Sequence, residues 1–236
     1  MEVSETLSCF ESRQDKAYPV DFRNNLKKQV IIMVAEIVRR LSQKLPVPTP
    51  ADLSDYNGEL NLPLELLPMP LHQLRPAAVL VPIIKRSSGP TVLLTQRTSH
   101  LRAHAGQISF PGGGAEPEDV DAVATALREA YEEVGIPTHA VEIAGFLDPH
   151  VTVSGYCVTP VVGFVDPDFR IVADPGEVAE VFEVPLEHVL NAENHQIRTG
   201  RFKNKELSYY VIQYQHRTIW GATAGMLVNL HRKLRD

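Results

Sequence analysis

Apolar residues recur at two different spacings along the chain, and the change of spacing divides it into two parts. Between about residues 25 and 45 they recur at intervals of three and four, which predicts one amphipathic helix. Prolines then interrupt residues 46–76 and favour extended or turn backbone, so this stretch is predicted to be an ordered linker. We therefore predict an N-terminal region over residues 1–75, made of a loose arm, the helix and the linker, followed by a domain over residues 76–236.

Beyond Pro76, apolar runs of strand length alternate with helical periodicity, without a regular strand–helix–strand repeat. The predicted strands are residues 77–84, 91–95, 141–147, 158–165 and 209–214. The predicted helices are residues 120–134, 185–191 and 223–234, and residues 96–119 are predicted to be a loop rich in glycine, histidine and arginine. This order predicts an α/β fold in which helices flank a mixed sheet.

The composition is that of an ordinary globular chain of 236 residues, 44% hydrophobic and 22% charged, with a net charge of -6. Mild acidity gives no global attraction to nucleic acid or to an anionic membrane surface. No apolar run approaches the roughly 18 residues of a membrane helix, and no signal peptide is evident. The only cysteines, Cys9 and Cys157, exclude a disulfide framework and a four-cysteine zinc site. These features predict a cytoplasmic protein that binds neither nucleic acid nor membrane.

Residues 120–134 carry the pattern with the most chemical content. As a helix, they place on one predicted apolar stripe Val120, Val123, Ala124, Leu127, Ala130, Tyr131 and Val134. Glu129, Glu132 and Glu133 lie outside this stripe at spacings of three and four, so their carboxylates are expected to converge. Gly135 is suited to end the helix. The acidic face has two interpretations, a solvated surface or a binding site for a cation.

Three neighbouring carboxylates repel one another, and a divalent cation bound between them removes that repulsion. Oxygen ligands favour Mg²⁺ or Mn²⁺ over zinc, and no cluster of Cys and His competes. Just before the helix lie Gly112, Gly113 and Gly114, whose backbone can approach a ligand closely. Glycine carbonyls can coordinate a metal, and glycine amides can hold a phosphate. Together, the loop and the helix indicate such a site more specifically than either does alone.

The run Arg-Glu-Ala-Tyr-Glu-Glu-Val-Gly-Ile, which begins at Arg128 and follows Gly113-Gly114, resembles the Nudix box. The second half of the box matches at every fixed position. The first half departs from it, because Val120 stands where the pattern has Glu and Asp119 is one residue earlier. The resemblance implies a Nudix-type α/β/α sandwich with a mixed sheet and, here, an added N-terminal helix. It also implies Mg²⁺- or Mn²⁺-dependent hydrolysis of a nucleoside diphosphate linked to another moiety.

A second resemblance lies upstream of the box. The run Leu93-Leu94-Thr95-Gln96-Arg97-Thr98, followed by Arg102, Gly106 and Phe110-Pro111-Gly112-Gly113, is similar to the signature of the coenzyme A pyrophosphatase subgroup. With further matches downstream, the resemblance covers roughly residues 76–234. It implies an enzyme, a coenzyme A diphosphatase, that cleaves the pyrophosphate bond of coenzyme A, or of its acyl or oxidised forms. The products would be 3′,5′-ADP and 4′-phosphopantetheine.

The resemblance also implies roles for individual residues. The implied metal ligands are Glu129, Glu132, Glu133 and the carbonyl of Gly114. The three glutamates are catalytic through the metal, and a further catalytic acid is expected from a loop that can swing toward it. Glu177 is the expected acid, with Glu180 as the alternative, and the other interpretation of either residue is an ordinary surface-loop glutamate.

The substrate contacts implied in the same way lie in and after the predicted loop. They are Arg97, Arg102, His104, Gly112 and Gly113. Coenzyme A carries a 3′-phosphate besides its pyrophosphate, and a guanidinium group pairs with phosphate through two hydrogen bonds. The two arginines are therefore expected to bind the phosphates of the substrate.

Other functions remain open alternatives. A Nudix pyrophosphatase of ADP-ribose or of another nucleoside diphosphate derivative is the nearest one, and the acidic charge disfavours an RNA-cap hydrolase. An alternative of a different class is a non-catalytic nucleotide-sensing domain, although such a domain would be expected to have lost its metal-binding carboxylates. The expected partner is a small nucleotide substrate. The N-terminal helix either packs on the domain or builds a homodimer.

Overall fold

The structure, a computed structural model, describes residues 32–41, 61–62, 64–101, 104–202 and 204–235. The predicted N-terminal arm, most of the predicted linker and Arg102 lie outside the described residues. Of the predicted N-terminal helix, residues 32–41 are described and are helical, and they are named α1 here. Within the described ranges, no helix combines the length and the apolar character needed to cross a membrane.

Among the described residues, two sheets and three further helices follow α1. The main sheet contains β1 (Arg75–Ile84), β2 (Thr91–Arg97), β3 (Ile108–Ser109), β4 (Gly112–Gly114), β5 (Val141–Phe146), β6 (His150–Val151), β7 (Tyr156–Val165) and β8 (Val178–Pro185). The second sheet contains β9 (Gln196–Phe202), β10 (Lys205–Tyr214) and β11 (Arg217–Trp220). The helices are α2 (Ala122–Val134), α3 (Leu186–Leu190) and α4 (Gly221–Arg235). Short 3₁₀ turns lie at Leu64–Leu66, Leu71–Gln73, Thr138–Ala140 and Ala192–Asn194.

The main sheet is mixed, with β1 at its centre. β1 runs parallel to β7 and antiparallel to β2 and β4. β2 pairs in turn with β3 and β8, and β7 pairs with β5 and β6, all in antiparallel fashion. Most of β1 is apolar and buried on both faces, as expected of a strand that helices cover from both sides. The predicted α/β fold with a mixed sheet flanked by helices is confirmed.

Alternate residues of β1 face two different helical layers. Leu80 lies in one buried cluster with Ala130 of α2. Val81, its neighbour, lies in a second cluster with Ile37 of α1 and Leu227 of α4. The sheet therefore separates α2 on one face from α1 and α4 on the other.

α1 packs directly on this sheet. Ile37 and Leu41 are each only 1% exposed. A Cβ atom at Gly145 of β5 would come within 2.6 Å of the Leu41 Cβ, so this glycine leaves room for the helix. Of the two roles open to the N-terminal helix, the structure shows packing on the domain.

The predicted loop over residues 96–119 is wrong in part, because it contains the end of β2 and all of β3 and β4. β4 consists of glycines, which are depleted in strands, and it forms because its backbone pairs with β1. The patterns also leave β6, β8, β9 and β11 unpredicted. β9 is mostly exposed along its length, so it lacks the alternation that marks a half-buried strand.

The predicted apolar stripe of α2 is wrong at two positions. Val120 precedes the helix and is 90% exposed, and Tyr131 is 61% exposed. Glu133 is instead buried. The reason is tertiary: α2 lies against both β1 and β4, and a strand without side chains leaves space where the helix can bury a carboxylate.

Candidate active site

The end of α2 positions the loop that precedes β8. Gly135 ends the helix in a left-handed conformation with φ of 73°, which glycine adopts without steric cost. Two backbone hydrogen bonds then tie the loop to the helix, because the Val172 N–H donates to the Val134 carbonyl at 3.0 Å and the Asp174 N–H donates to the Glu133 carbonyl at 2.9 Å. The Glu177 N–H donates back to the Asp174 carbonyl at 3.1 Å and closes a turn. Through these bonds, Glu177 lies beside the last turn of α2.

The glycine strand β4 comes close to α2 because it has no side chains. At Gly112, a Cβ atom would lie 2.5 Å from the Ala78 carbonyl oxygen of β1. At Gly113, it would lie 2.5 Å from Oε1 of Glu129. The Glu129 carboxylate thus fills the space that a side chain at position 113 would need. The glycine segment and the acidic helix, predicted to act as one site, meet in the structure.

Glu133 is the most buried acid of the site, with 4% of its side chain exposed. Its Oε1 accepts a hydrogen bond from Arg97 at 3.1 Å. Its Oε2 is buried and has no hydrogen-bond partner among the described residues. Burial raises the pKa of Glu133 to about 7, although the Arg97 guanidinium favours the ionised form. A buried carboxylate oxygen without a partner is costly, so this atom is placed to bind something else.

Glu129 lies one turn earlier and is held by Arg128. The Arg128 Nη1 donates to Glu129 Oε1 at 2.8 Å. Burial raises the pKa of Glu129, while the hydrogen bond from Arg128 opposes that rise. The charge of Glu177 acts on both helix acids, because it adds to the rise in the pKa of Glu129 and of Glu133. The structure thus gathers Glu129, Glu133 and Glu177.

Asp119, whose role the sequence left open, fixes Arg128. Its oxygens accept hydrogen bonds from Arg128 Nε at 3.1 Å and Nη2 at 2.9 Å. It also accepts from the Thr125 hydroxyl at 2.9 Å. The Arg128 guanidinium holds the pKa of Asp119 well below its usual range. Arg128 also donates to the Gly114 carbonyl at 3.0 Å, so one arginine joins the helix, the glycine strand and Asp119 of the connection between them.

Arg97, a predicted substrate contact, points at the acids of the site. The pairing of β2 with β8 shifts register between Gln96 and Arg97. The Arg97 guanidinium lies 3.1 Å from Glu133 Oε1 and 3.4 Å from Glu177 Oε2. The expected phosphate-binding arginine therefore stands between two carboxylates.

The remaining predicted residues lie around this cluster. Glu132 is on the outer side, 59% exposed and 3.5 Å from Arg128. His104 is exposed, and its Nδ1 lies 2.8 Å from Gln107 Oε1. Glu180, the alternative loop acid, pairs with Arg217, which is stacked over Phe182. Arg102 lies outside the described residues.

The described donors fit a hard divalent cation, although they do not form a finished cage. Across the described part of the chain, no group of three Asp, Glu, His or Cys side chains is arranged to hold a metal ion. What is present is the free Oε2 of Glu133, the Glu129 carboxylate against Gly113, and Glu177 nearby. Carboxylate and carbonyl oxygens are the donors that Mg²⁺ and Mn²⁺ prefer.

Two further features bear on the chemistry. Cys157 is buried, and burial raises the pKa of its thiol to about 11, so it is no thiolate nucleophile at neutral pH.

An open groove of about 420 Å³ lies between the loop before β3 and the strand β11. Its lining includes Gln107 and Trp220. The local sequence carries no signal that Trp220 lies here, because only the fold brings β11 against this loop.

The chain is similar to known proteins over most of its length. A family model for the NUDIX domain matches residues 74–205. A protein of Photorhabdus laumondii named "Uncharacterized Nudix hydrolase NudL" is 40% identical over 205 residues, which make up 87% of this chain and 100% of that protein. A protein of the same name from Escherichia coli K12 is 46% identical over 156 residues, or 66% of this chain and 81% of that one. A solved C. elegans Ap4A hydrolase shares 21% identity at a TM-score of 0.41, covering 47% of this chain and 80% of its own.

Proposed function

The chain belongs to the Nudix hydrolase family, and from this premise we propose that it hydrolyses the pyrophosphate bond of coenzyme A. The products would be 3′,5′-ADP and 4′-phosphopantetheine, and acyl or oxidised coenzyme A are further candidate substrates. The observation that carries the proposal is the pair of acids, the buried Glu133 and the partly buried Glu129, against a glycine strand. One oxygen of this pair has no hydrogen-bond partner among the described residues.

Glu129 and Glu133 would hold a divalent cation, with Glu132 and the Gly114 carbonyl as further ligands. When bound, Mg²⁺ or Mn²⁺ neutralises charge on the phosphates and makes a coordinated water more acidic. Arg128 keeps Glu129 oriented through its 2.8 Å hydrogen bond. The Gly114 carbonyl already accepts a hydrogen bond from Arg128, and a carbonyl oxygen keeps a second lone pair for another partner.

Glu177 is the proposed proton acceptor. It is 48% exposed and lies on a turn, so it reaches solvent, whereas Glu133 is enclosed. In the reaction, a water oxygen bonds to one phosphorus, the bond from that phosphorus to the bridging oxygen breaks, and a water proton passes to Glu177. Two phosphomonoesters result. A carboxylate within reach of the attacking water is suited to this role.

The subgroup resemblance supplies the substrate. It rests on residues 93–113, which include Arg97 and Arg102, and on matches downstream of the box. The structure places Arg97 beside the acids of the site. A guanidinium there can pair with a phosphate of the substrate.

We also propose that the protein works in the cytoplasm on a small nucleotide substrate, and that neither nucleic acid nor membrane is its partner. The acidic net charge of -6 supports this assignment. A homodimer remains an expectation, which light scattering coupled to gel filtration would check.

A substrate screen tests the proposal. Coenzyme A, acetyl coenzyme A, oxidised coenzyme A and ADP-ribose would be incubated with Mg²⁺ or Mn²⁺, and the products separated by chromatography. We expect 3′,5′-ADP and 4′-phosphopantetheine from coenzyme A, and no product after chelation. A clear preference for ADP-ribose would replace the coenzyme A assignment by the broader Nudix pyrophosphatase. Nucleotide binding without turnover of any substrate would favour a sensing domain.

A further inference from the structure

The Arg97 guanidinium lies at carboxylates for which a bound metal ion would compete. This guanidinium bridges Glu133 of α2, at 3.1 Å, and Glu177 of the loop before β8, at 3.4 Å. Backbone hydrogen bonds fix the strand from which this side chain starts, because the Arg97 N–H donates to the Gln107 carbonyl and the Thr98 N–H to the Glu177 carbonyl, both at 2.9 Å. The side chain is only 22% exposed. It is therefore held at the acids rather than extended into solvent.

Arg97 directs Nη1 to Glu133 and Nη2 to Glu177, so two carboxylates already share its single positive charge. A divalent cation on Glu133 would also bring two positive charges to a place where Arg97 already supplies one. Like charges a few ångströms apart in a poorly solvated site repel strongly. Metal binding and the Arg97 ion pairs therefore oppose each other.

We propose that Arg97 is an internal counter-ion for the acids of the metal-free enzyme, and that metal binding releases its guanidinium toward the phosphates of the substrate. This inference rests on the metal site of the proposed function. Arg97 is then a positioning residue that links two binding events. Before the metal binds, it stabilises Glu133 and Glu177. Afterwards it needs an anion, so metal and phosphate assist each other's binding, as linkage requires.

The test measures the binding of Mn²⁺ alone to the full-length protein by titration calorimetry. Arg97→Gln removes the competing charge, so it should bind Mn²⁺ about tenfold more tightly than the unmodified protein. Arg97→Lys keeps the charge but cannot bridge both acids through one planar group, so its affinity should be intermediate. Arg86→Gln is the matched control. It removes a half-buried arginine that pairs with Glu183 at 2.6 Å elsewhere on the sheet, and its Mn²⁺ affinity should equal that of the unmodified protein.

Thermal melting provides a second readout. Without metal, Arg97→Gln should melt at a lower temperature because two acids lose their counter-ion, and Mn²⁺ should raise its melting temperature more than that of the unmodified protein. Equal or weaker Mn²⁺ binding by Arg97→Gln would overturn the proposal. If that variant does not fold, equal or weaker Mn²⁺ binding by Arg97→Lys would overturn it instead. No coenzyme A is present, so failure of the substrate assignment leaves this result standing, whereas absence of Mn²⁺ binding in all variants would contradict the metal site itself.

Discussion

Two arginine–glutamate pairs lie near opposite ends of β2, and they differ in how completely the carboxylate is bonded. Glu183 accepts hydrogen bonds on both oxygens, from Arg86 at 2.6 and 3.1 Å and from the Thr91 hydroxyl at 2.5 Å. Burial by itself would raise the pKa of Glu183, but the hydrogen bonds from Arg86 and Thr91 outweigh it and the pKa is lowered. Glu133 has an arginine on one oxygen and, among the described residues, no hydrogen-bond partner on the other, and burial raises its pKa to about 7.

An arginine partner is therefore not what makes a carboxylate structural. Glu183 is structural because every oxygen has a donor, so the ionised form is stable without any ligand. Glu133 has the same kind of neighbour, but its second oxygen has no donor among the described residues, and it is the carboxylate that we propose binds a cation. Buried acids with raised pKa values cluster at functional sites. The pKa of Glu133 is raised because the carboxylate is buried and only one of its oxygens has a donor among the described residues.

The largest expected effect separates the two glutamates by activity. Glu133→Gln should lower the turnover of coenzyme A by about 10²–10³, the usual cost of losing one strong electrostatic contributor to a reaction centre. Glu183→Gln should leave turnover within a few-fold and instead lower the free energy of unfolding, by about 1–3 kcal/mol. Steady-state kinetics with Mg²⁺ and urea unfolding measure the two quantities. Near-normal turnover of Glu133→Gln, with unchanged metal dependence, would make Glu133 a structural residue like Glu183.

The pH dependence of stability should also have opposite signs at the two sites. In the presence of a chelator, the folded state keeps the Glu133 proton up to a pKa of about 7, whereas the unfolded state loses it near 4.5. Stability should therefore fall as pH rises between these values, by up to about 3 kcal/mol. Glu183 has a lowered pKa, so its contribution is present above the unfolded pKa and is lost in acid.

Urea unfolding at pH 5 and pH 8 checks this sign. Relative to the unmodified protein, metal-free Glu133→Gln should gain stability between pH 5 and pH 8, because the amide has no proton to lose. Glu183→Gln should show no such gain. A constant difference between Glu133→Gln and the unmodified protein across this range would mean that Glu133 is ionised at both pH values.

Substitution of the arginines in the two pairs should also have different consequences for kcat/KM, and the effect should be smaller than that of Glu133→Gln. Arg86 pairs with Glu183, whereas Arg97 pairs with Glu133 and Glu177 and is the one expected to turn to a phosphate when substrate binds. Coenzyme A should be cleaved about ten- to a hundredfold more efficiently than its analogue without the 3′-phosphate, since one charged hydrogen-bonded pair contributes about 1.5–3 kcal/mol. If Arg97 contacts the 3′-phosphate, Arg97→Ala should penalise coenzyme A and spare the analogue. If it contacts the pyrophosphate, the kcat/KM values for coenzyme A and for the analogue should fall alike. Arg86→Ala should change neither of these kcat/KM values.

The smallest effect is expected on the outer side of the helix that carries Glu133. Tyr131 is 61% exposed, so Tyr131→Ala should cost less than about 1 kcal/mol and leave turnover within about twofold. Ile136 is fully buried just beyond the same helix, and Ile136→Ala should cost about 2–5 kcal/mol. Thermal unfolding measures both. A large loss of stability in Tyr131→Ala would show that substitutions at exposed positions also destabilise this helix. The effect of Glu133→Gln could then not be assigned to its buried carboxylate.

Sequence periodicity was sufficient for the helix that carries the site. The apolar periodicity, the acids of the last turn and the stop at Gly135 are local features, and α2 ends as predicted but begins at Ala122 after a cap at Asp121, two residues later than predicted. The glycine segment was also recognised, but as a loop. It became a strand only by pairing with β1, and that pairing is a contact between distant parts of the chain.

By itself, the sequence determined which helix carries the acids and that acids and glycines would share one site, because caps, periodicity and glycine freedom act over a few residues. It also carried the family resemblance in its ordered run of side chains. Only the tertiary structure decided that Glu133 is buried while Tyr131 is exposed, since which face of a helix is covered depends on what packs against it. The same holds for Arg97, which meets Glu133 and Glu177 across separations of 36 and 80 residues. Burial and ion pairing at such distances depend on the folded arrangement of the strands, and no local pattern contains them.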